Sequence, residues 1–220
     1  MSTSPALSTP AQALLAEAAE WHLIELLFRC PSPAWKQELQ ALRLEVADPD
    51  LRRAVEHAVA EATEGAFHSI FGPGGPAPAR EASYQGAIQL GYLMSELKAY
   101  YDAFAYAPAL IASESEPLDH VSVEAGFTSF LRLKQAFASS SGSETEAATV
   151  ADAAERFLKE HLSNIAEPLS YALDHSGEPY LELAGKALVR RVGPARKQIF
   201  DILDQDAAGA EQSTFDCGAL

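Results

Sequence analysis

Apolar residues recur at intervals of three and four along nearly the whole chain, which is the period of amphipathic helices. Most breaks in this pattern carry Pro or Gly, and three place a capping residue before Pro: Thr9-Pro10, Ser32-Pro33 and Asp48-Pro49. Each pair favours a helix start, because the polar side chain caps a backbone N–H and Pro lacks one. Strictly alternating apolar and polar residues are scarce, so no strand is predicted. The pattern predicts an all-α fold of about eight or nine helices.

The strongest interruption is FGPGGPAPAREAS at residues 71–83, where three Gly and three Pro end a helix that we expect to begin at Asp48. The next helix is expected to begin at Tyr84. The polar stretch at residues 139–147 is typical of a flexible link. We therefore expect one globular helical domain over residues 9–203, a flexible segment at residues 1–8 and a mobile acidic tail at residues 204–220.

The composition is that of a globular protein, since 48% of the 220 residues are hydrophobic. With 16 basic residues against 31 acidic ones, the net charge is −15, which argues against nucleic-acid binding. No apolar run of about 18 residues is present and the N-terminus does not resemble an export signal, so we expect no membrane insertion and a cytoplasmic location. The two cysteines, Cys30 and Cys217, form no CxxC pair, which argues against a cysteine-based zinc or redox motif.

Candidate chemistry concentrates in EPLDH at residues 116–120, just before an apolar helix. We expect Pro117 in the first helical turn, Glu116 near the N-cap and Asp119 at the third position, where acids stabilise the positive end of a helix. His120 shares a helical stripe with Glu124. It is either a satisfied, half-buried histidine or half of a functional pair with Asp119. We expect it to titrate near its ordinary pKa of about 6.5.

Two other functions stay open on the residues alone. The first is a helical metal-binding protein or small enzyme that uses His120 and Glu124, four residues apart, with His161 as a further ligand; two ligands do not make a metal site. The second is an acidic regulatory scaffold. The Gly-rich loop lacks the Lys-Ser/Thr of a phosphate-binding loop, so it is interpreted as a connector between helices.

The pattern Glu-Pro-x-Asp-His, followed by an amphipathic helix, resembles the signature of the TorD/DmsD/NarJ family. These are cytoplasmic chaperones for molybdenum-containing oxidoreductases. Two further segments resemble family elements and follow the same order: FHSIF at residues 67–71 and FLKEHL at residues 157–162. Together the three segments extend the resemblance over most of residues 15–200.

The resemblance implies a TorD-like helical fold, no catalysis and a monomer or homodimer. It implies that the chain binds the twin-arginine signal peptide of a molybdopterin oxidoreductase catalytic subunit and holds the apo form until its cofactor is inserted, before export or assembly. No cofactor of its own is expected, although a transient contact with the client's molybdopterin cofactor or with nucleotide stays open. The implied peptide-binding residues are Asp119, His120, Glu116, Pro117, Glu124, Phe67, Ile70, Phe71 and Tyr84.

Overall fold

The chain is all-helical in a computed structural model that describes residues 9–85, 90–108 and 116–193. The α-helices are α1 (Thr9–Leu27), α2 (Pro33–Leu42), α3 (Pro49–Glu61), α4 (Glu64–Phe71), α5 (Leu90–Ala103), α6 (Val121–Ser140), α7 (Glu144–Phe157), α8 (Ser163–Leu173) and α9 (Pro179–Val192). A π-helical turn, Leu158–Leu162, joins α7 to α8, and a 3₁₀ turn spans Glu81–Ser83. In the described ranges the β-type pairing is confined to one isolated bridge. The predicted all-α, single-domain fold is confirmed.

The centre of the fold is the packing of α1 along α6. Every residue from 121 to 129 is buried, so the first half of α6 is surrounded on all sides. Gly126 permits this close approach, because a Cβ there would lie 2.6 Å from the Tyr106 hydroxyl and 2.9 Å from the Glu25 carboxyl carbon. The Ser129 hydroxyl donates to the Ala18 carbonyl oxygen at 2.8 Å, which fastens the two helices directly.

Buried arginines connect the other helices to this pair. Arg132 on α6 donates to Glu17 on α1 at 2.8 Å and to Glu155 on α7 at 2.6 Å. On α9, Arg191 donates to Glu20 of α1 at 2.8 Å and to Asp48, the N-cap of α3, at 2.9 Å. Ends of helices that are distant in sequence are therefore joined by charge-assisted hydrogen bonds.

Two of the three helix starts predicted from local capping are confirmed; no cap is described for α1, whose described residues begin at Thr9. Ser32 accepts from the Trp35 backbone N–H at the start of α2, and Asp48 accepts from the N–H groups of Asp50 and Leu51 at the start of α3. The single helix predicted from Asp48 to the Gly/Pro loop is wrong. Ala62 is extended, with φ −63° and ψ 133°, and the next residue, Thr63, caps α4 as a separate helix.

Other predicted boundaries also shift. The helix expected at Tyr84 is α5, whose described residues begin at Leu90, while Tyr84 itself follows the 3₁₀ turn. Most of the polar stretch 139–147 is helical, since α6 ends at Ser140 and α7 begins at Glu144. The predicted flexible N-terminal segment 1–8 and acidic tail 204–220, with residues 194–203 of the predicted domain, lie outside the described residues. No described helix is both long and apolar enough to cross a membrane.

Candidate functional site

The Gly/Pro loop is bound to the segment that precedes α6. The Glu81 N–H donates to the Asp119 carbonyl oxygen, and the Val121 N–H donates to the Ala79 carbonyl oxygen, both at 2.8 Å. These two bonds flank the isolated antiparallel bridge between Arg80 and His120. Backbone pairing therefore brings together two predicted features that lie far apart in sequence.

Asp119 is fully buried and binds Arg80. Its two carboxylate oxygens accept from Arg80 Nε at 2.9 and 3.2 Å. Arg80 Nη2 lies 2.8 Å from Asp119 Oδ1. The Ala82 N–H points at the same carboxylate from 3.4 Å. A bidentate ion pair of this kind fixes the orientation of both side chains. Asp119 consequently holds the loop against α6.

The predicted capping by Glu116 and Asp119 is wrong. The helix begins four residues after Pro117, at Val121, and His120 is its N-cap, accepting from the Ser122 N–H through Nδ1 at 3.3 Å. The physical reason is that the backbone on both sides of His120 is paired with the loop and cannot take a helical conformation as well.

His120 is a buried, neutral imidazole at neutral pH. Its Nδ1 lies 2.7 Å from the Ser122 hydroxyl, and its Nε2 lies 3.9 Å from a Glu116 carboxylate oxygen. Burial lowers the pKa of His120 to about 4; the nearby charge of Asp119 raises it and that of Arg80 lowers it further. The expected titration near pH 6.5 is therefore wrong, because a protonated ring would carry a charge that is largely removed from water.

Two more carboxyl groups are fully buried beneath this pairing. Glu81 accepts from Asn164 at 2.8 Å, from Gln85, and faces His161 Nδ1 at 3.1 Å. Glu124, by contrast, accepts no hydrogen bond from a described N–H or O–H donor. Its hydrogen-bond neighbour is the carboxyl group of Glu81, and that bond requires one of the two acids to carry a proton. Burial raises its pKa well above the ordinary value, and the charges of Glu81 and Asp119 add to that effect. The buried site therefore favours the protonated form of Glu124 over the carboxylate.

A groove of about 190 Å³ opens directly above this network. It is lined by Phe67, His68, Phe71, Gly72, Ala79, Arg80, Glu116, Pro117 and His120. The rings of Phe67 and Phe71 pack at 4.8 Å between centroids and form its apolar wall. Glu116, Pro117 and His120 line the same groove, so one surface contains five of the nine residues that the sequence nominates.

The other four nominated residues do not line the groove. Ile70 is part of the core, and Asp119 and Glu124 lie fully buried beneath the surface. Tyr84 is half-buried, its hydroxyl has no hydrogen-bond partner in the described structure, and burial raises its pKa to about 12. These side chains support the surface from below or beside it.

Sequence reasoning missed His68 and Arg80, which line the groove, and Glu81 and Asn164, which support it. One signal was available for Arg80 and Glu81. They are the only charged residues in the Gly/Pro-rich loop, where a solvated connector needs no adjacent ion pair. No local pattern distinguishes His68 or Asn164, because their partners come from distant elements.

The metal-binding alternative at His120 lacks the required geometry. The described part of the chain contains one group of three or more metal-ligating side chains, and its members are Cys30, Glu64 and His68. It contains none of the residues that this alternative used.

A larger cavity of about 300 Å³ lies between α1 and α6. Its walls are mostly apolar, and its polar part is the contact between His22 Nδ1 and a Glu25 carboxylate oxygen at 2.8 Å. None of the nominated residues lines it. The smaller groove is therefore the better candidate site, because it collects the nominated residues in spite of its size.

The all-α fold, with the Glu-Pro-x-Asp-His segment beside a groove, agrees with the resemblance to chaperones of the TorD/DmsD/NarJ type. In agreement with this, a family model described as "Nitrate reductase delta subunit" matches residues 33–169. The chain belongs to the nitrate reductase delta subunit family, whose members are chaperones for molybdoenzyme maturation and partner with molybdoenzyme catalytic subunits. Comparisons with curated proteins and with solved structures found no match.

Proposed function

We propose that this chain is a cytoplasmic, system-specific chaperone that binds the twin-arginine signal peptide of an apo molybdopterin oxidoreductase subunit. It holds that subunit until cofactor insertion, before export or assembly. The proposal rests on one observation: Phe67 and Phe71 line the same groove as Glu116, Pro117 and His120.

The chemistry of the groove suits a peptide that carries arginines next to an apolar stretch. The phenylalanine rings offer a surface for apolar side chains, while Glu116 is a partly exposed carboxylate that lines the same groove. Asp119 is fully buried, so the acid within reach of a peptide arginine is Glu116. The net charge of −15 attracts a basic segment over longer distances.

The size of the groove limits what it holds. Pockets for drug-sized ligands span about 300–1,000 Å³, and this one is about 190 Å³. It therefore accommodates a short apolar anchor of the peptide rather than a whole helix. The rest of the signal segment lies across the surrounding surface in this proposal.

The experiment is a calorimetric titration of the full-length chain with the synthetic signal peptide of a molybdoenzyme from the same host. Phe71→Ala removes part of the apolar wall and is expected to weaken binding at least about tenfold. Glu116→Gln is expected to weaken it about three- to tenfold and to reduce its dependence on salt. Circular dichroism verifies folding, and Phe71→Leu, which keeps most of the packing, is expected to give an intermediate affinity.

Matched controls lie near the end of α6 and at the start of α7, and the 20 residues of α6 span about 30 Å. Phe137→Ala removes an exposed aromatic ring and Glu144→Gln an exposed acid, and both are expected to leave the affinity within about twofold. The proposal fails if the peptide does not bind. It also fails if Leu133→Ser, in the larger cavity, abolishes binding while Phe71→Ala does not.

A further inference from the structure

Three metal-ligating side chains converge where the end of α1 meets α4. Cys30 follows α1, and Glu64 and His68 lie one turn apart on α4. The Cys30 sulfur is 3.8 Å from His68 Nε2, and a Glu64 carboxylate oxygen is 3.6 Å from the same ring nitrogen. All three ligand atoms lie within 4.8 Å of one another.

The distances from His68 Nε2 to the other two ligand atoms are close to the ligand-to-ligand distances of a tetrahedral zinc site. Ordinary zinc–ligand bond lengths and tetrahedral angles give roughly 3.6 Å between a sulfur and a nitrogen ligand and roughly 3.3 Å between a nitrogen and an oxygen ligand. The observed distances exceed these values by only a few tenths of an ångström. Because Glu64 and His68 are exposed side chains, small rotations suffice to close the site around an ion.

We infer that Cys30, Glu64 and His68 form a binding site for a thiolate-preferring divalent cation of the Zn²⁺ class. A thiolate and an imidazole favour zinc over Mg²⁺ or Ca²⁺, which prefer oxygen ligands. Three protein ligands leave the fourth tetrahedral position to water or to a group from a bound molecule. The sequence argued against a cysteine-based zinc motif because it contains no CxxC pair, and Cys30 is distant in sequence from Glu64 and His68 on α4.

The chain contains an internal control for this arrangement. His57 and Glu61 on α3 have the same spacing as His68 and Glu64, with Nδ1 3.8 Å from a carboxylate oxygen, and both are well exposed. His57 and Glu61 do not belong to a group of three or more potential metal ligands among the described residues. Histidine–glutamate contacts without a thiol therefore occur elsewhere in the described structure, for example at His57–Glu61 and His120–Glu116, and the thiol distinguishes the proposed site.

His68 also lines the groove described above. A cation held by His68 therefore stands beside the aromatic wall, with its open position accessible from solvent. The site itself is inferred from the three ligands and does not depend on the proposed function.

The experiment uses the reduced, metal-free full-length chain. Zn²⁺ is titrated in competition with a chromophoric chelator, and Co²⁺ is followed by its absorption spectrum. We expect one ion per chain and a sulfur-to-cobalt charge-transfer band with tetrahedral d–d bands. Cys30→Ser is expected to abolish the charge-transfer band and weaken Zn²⁺ binding about 100-fold, and His68→Ala or Glu64→Gln at least about tenfold.

Cys217→Ser and His57→Ala are the matched controls and are expected to leave stoichiometry, affinity and spectrum unchanged. Binding that survives Cys30→Ser, disappears in Cys217→Ser or falls equally in His57→Ala would overturn the inference. A Co²⁺ complex without the charge-transfer band would overturn it as well. Cys30→Ser is nearly isosteric, and its unchanged circular dichroism would separate ligand loss from unfolding.

Discussion

Glu124 is a fully buried carboxyl group that accepts no hydrogen bond from a described N–H or O–H donor and has the carboxyl group of Glu81 as its hydrogen-bond neighbour. It lies on the first turn of α6, beside the paired loop. Burial raises its pKa well above the ordinary value of 4.5, and the charges of Glu81 and Asp119 contribute in the same direction. Glu124 therefore lowers the stability of the protein at any pH at which its side chain is ionised in the unfolded state.

The sign of this effect gives a pH-dependent prediction for Glu124→Gln. A raised pKa in the folded state makes the contribution of Glu124 most favourable below pH 4.5 and reduces it as the pH rises toward the folded pKa. The neutral glutamine lacks this titration. We expect the variant to gain stability over the parent between pH 5 and pH 8, at a slope of at most about 1.4 kcal/mol per pH unit.

Urea unfolding of both proteins across that range measures the difference. His120 titrates in both, so its own contribution, which is lost as the pH falls from about 6.5 toward its lowered pKa of about 4, cancels in the comparison. If the difference in unfolding free energy between the two proteins stayed constant from pH 5 to pH 8, the pKa of Glu124 would not be raised in the folded state.

A second prediction at this scale concerns Gly126. Alanine there must displace the buried Tyr106 hydroxyl and the Glu25 carboxyl group, so we expect Gly126→Ala to destabilise the protein by about 1–2 kcal/mol. Gly65, in α4, is the matched control, because a Cβ there meets no atom within 4 Å. Gly65→Ala is expected to be neutral or to stabilise by up to about 1 kcal/mol. Thermal denaturation distinguishes them, and equal effects would be inconsistent with close packing at α6.

At the scale of elements, the connection between the Gly/Pro loop and α6 shapes the candidate groove. The loop supplies Arg80, and the segment before α6 supplies Asp119 and His120, with backbone hydrogen bonds on either side. The ion pair is half in solvent, since the Arg80 side chain is 41% exposed while that of Asp119 is fully buried. Removing the charge from Asp119 therefore leaves a buried polar group facing a guanidinium.

We expect Asp119→Asn to destabilise the protein by about 1–3 kcal/mol and to speed hydrogen exchange at the Glu81 and Val121 amides. Both amides donate across the loop connection. Asp102→Asn is the control, because its pair with Lys98 is 65% exposed on both sides and contributes about 0.5 kcal/mol or less. Unchanged exchange at the two amides in Asp119→Asn would show that the ion pair does not hold the loop.

The same connection shows where sequence reasoning ends. Helix starts at Pro33 and Pro49 were predictable, because their caps lie within three residues of the helices they begin. Asp119 also looked like a cap by local rules, but its partner Arg80 lies 39 residues away in the chain. A residue's local preference does not reveal a long-range ion pair that uses the same carboxylate.

The candidate site was predictable to a similar extent. The two segments that form its walls were identified by resemblance, and five of their residues meet in one groove. Which of the acids faces solvent was not predictable: Glu116 does so, whereas Asp119 and Glu124 are buried by packing from other elements. Periodicity gives the face of one helix, while burial here depends on a loop and several helices together.

At the scale of the molecule, Asp48 connects regions that are far apart in sequence. It caps α3 and binds both Arg190 and Arg191 near the end of α9, while Arg191 also reaches Glu20 on α1. Burial alone raises the pKa of Asp48, but hydrogen bonds from Arg191, the Leu51 N–H and Arg190 outweigh it and lower the pKa to about 2. The lowered value makes the ionised form a source of global stability.

We expect Asp48→Asn to lose about 2 kcal/mol of unfolding free energy at pH 7, since asparagine caps a helix as well as aspartate does but carries no charge. A depressed pKa contributes stability above the ordinary value of 3.8, and that contribution is lost as the pH falls toward about 2. The deficit of the variant should therefore shrink below pH 4. Denaturant unfolding measures it, with the exposed Asp152→Asn as control; a deficit that is independent of pH would contradict the prediction.

The π-helical turn between α7 and α8 has a consequence for how the chain tolerates changes in length. A π turn contains one residue more than the α-helical turn it replaces, so the residues after it are rotated by about 100° relative to an uninterrupted helix. That rotation directs both His161 and Asn164 toward Glu81, under the groove. Deleting one residue from Leu158–Leu162 would keep the helix continuous yet turn Asn164 and the core face of α8 away from their partners. The angular phase between the two helices is thus set by a single inserted residue, so a one-residue deletion here disturbs the fold more than its size suggests.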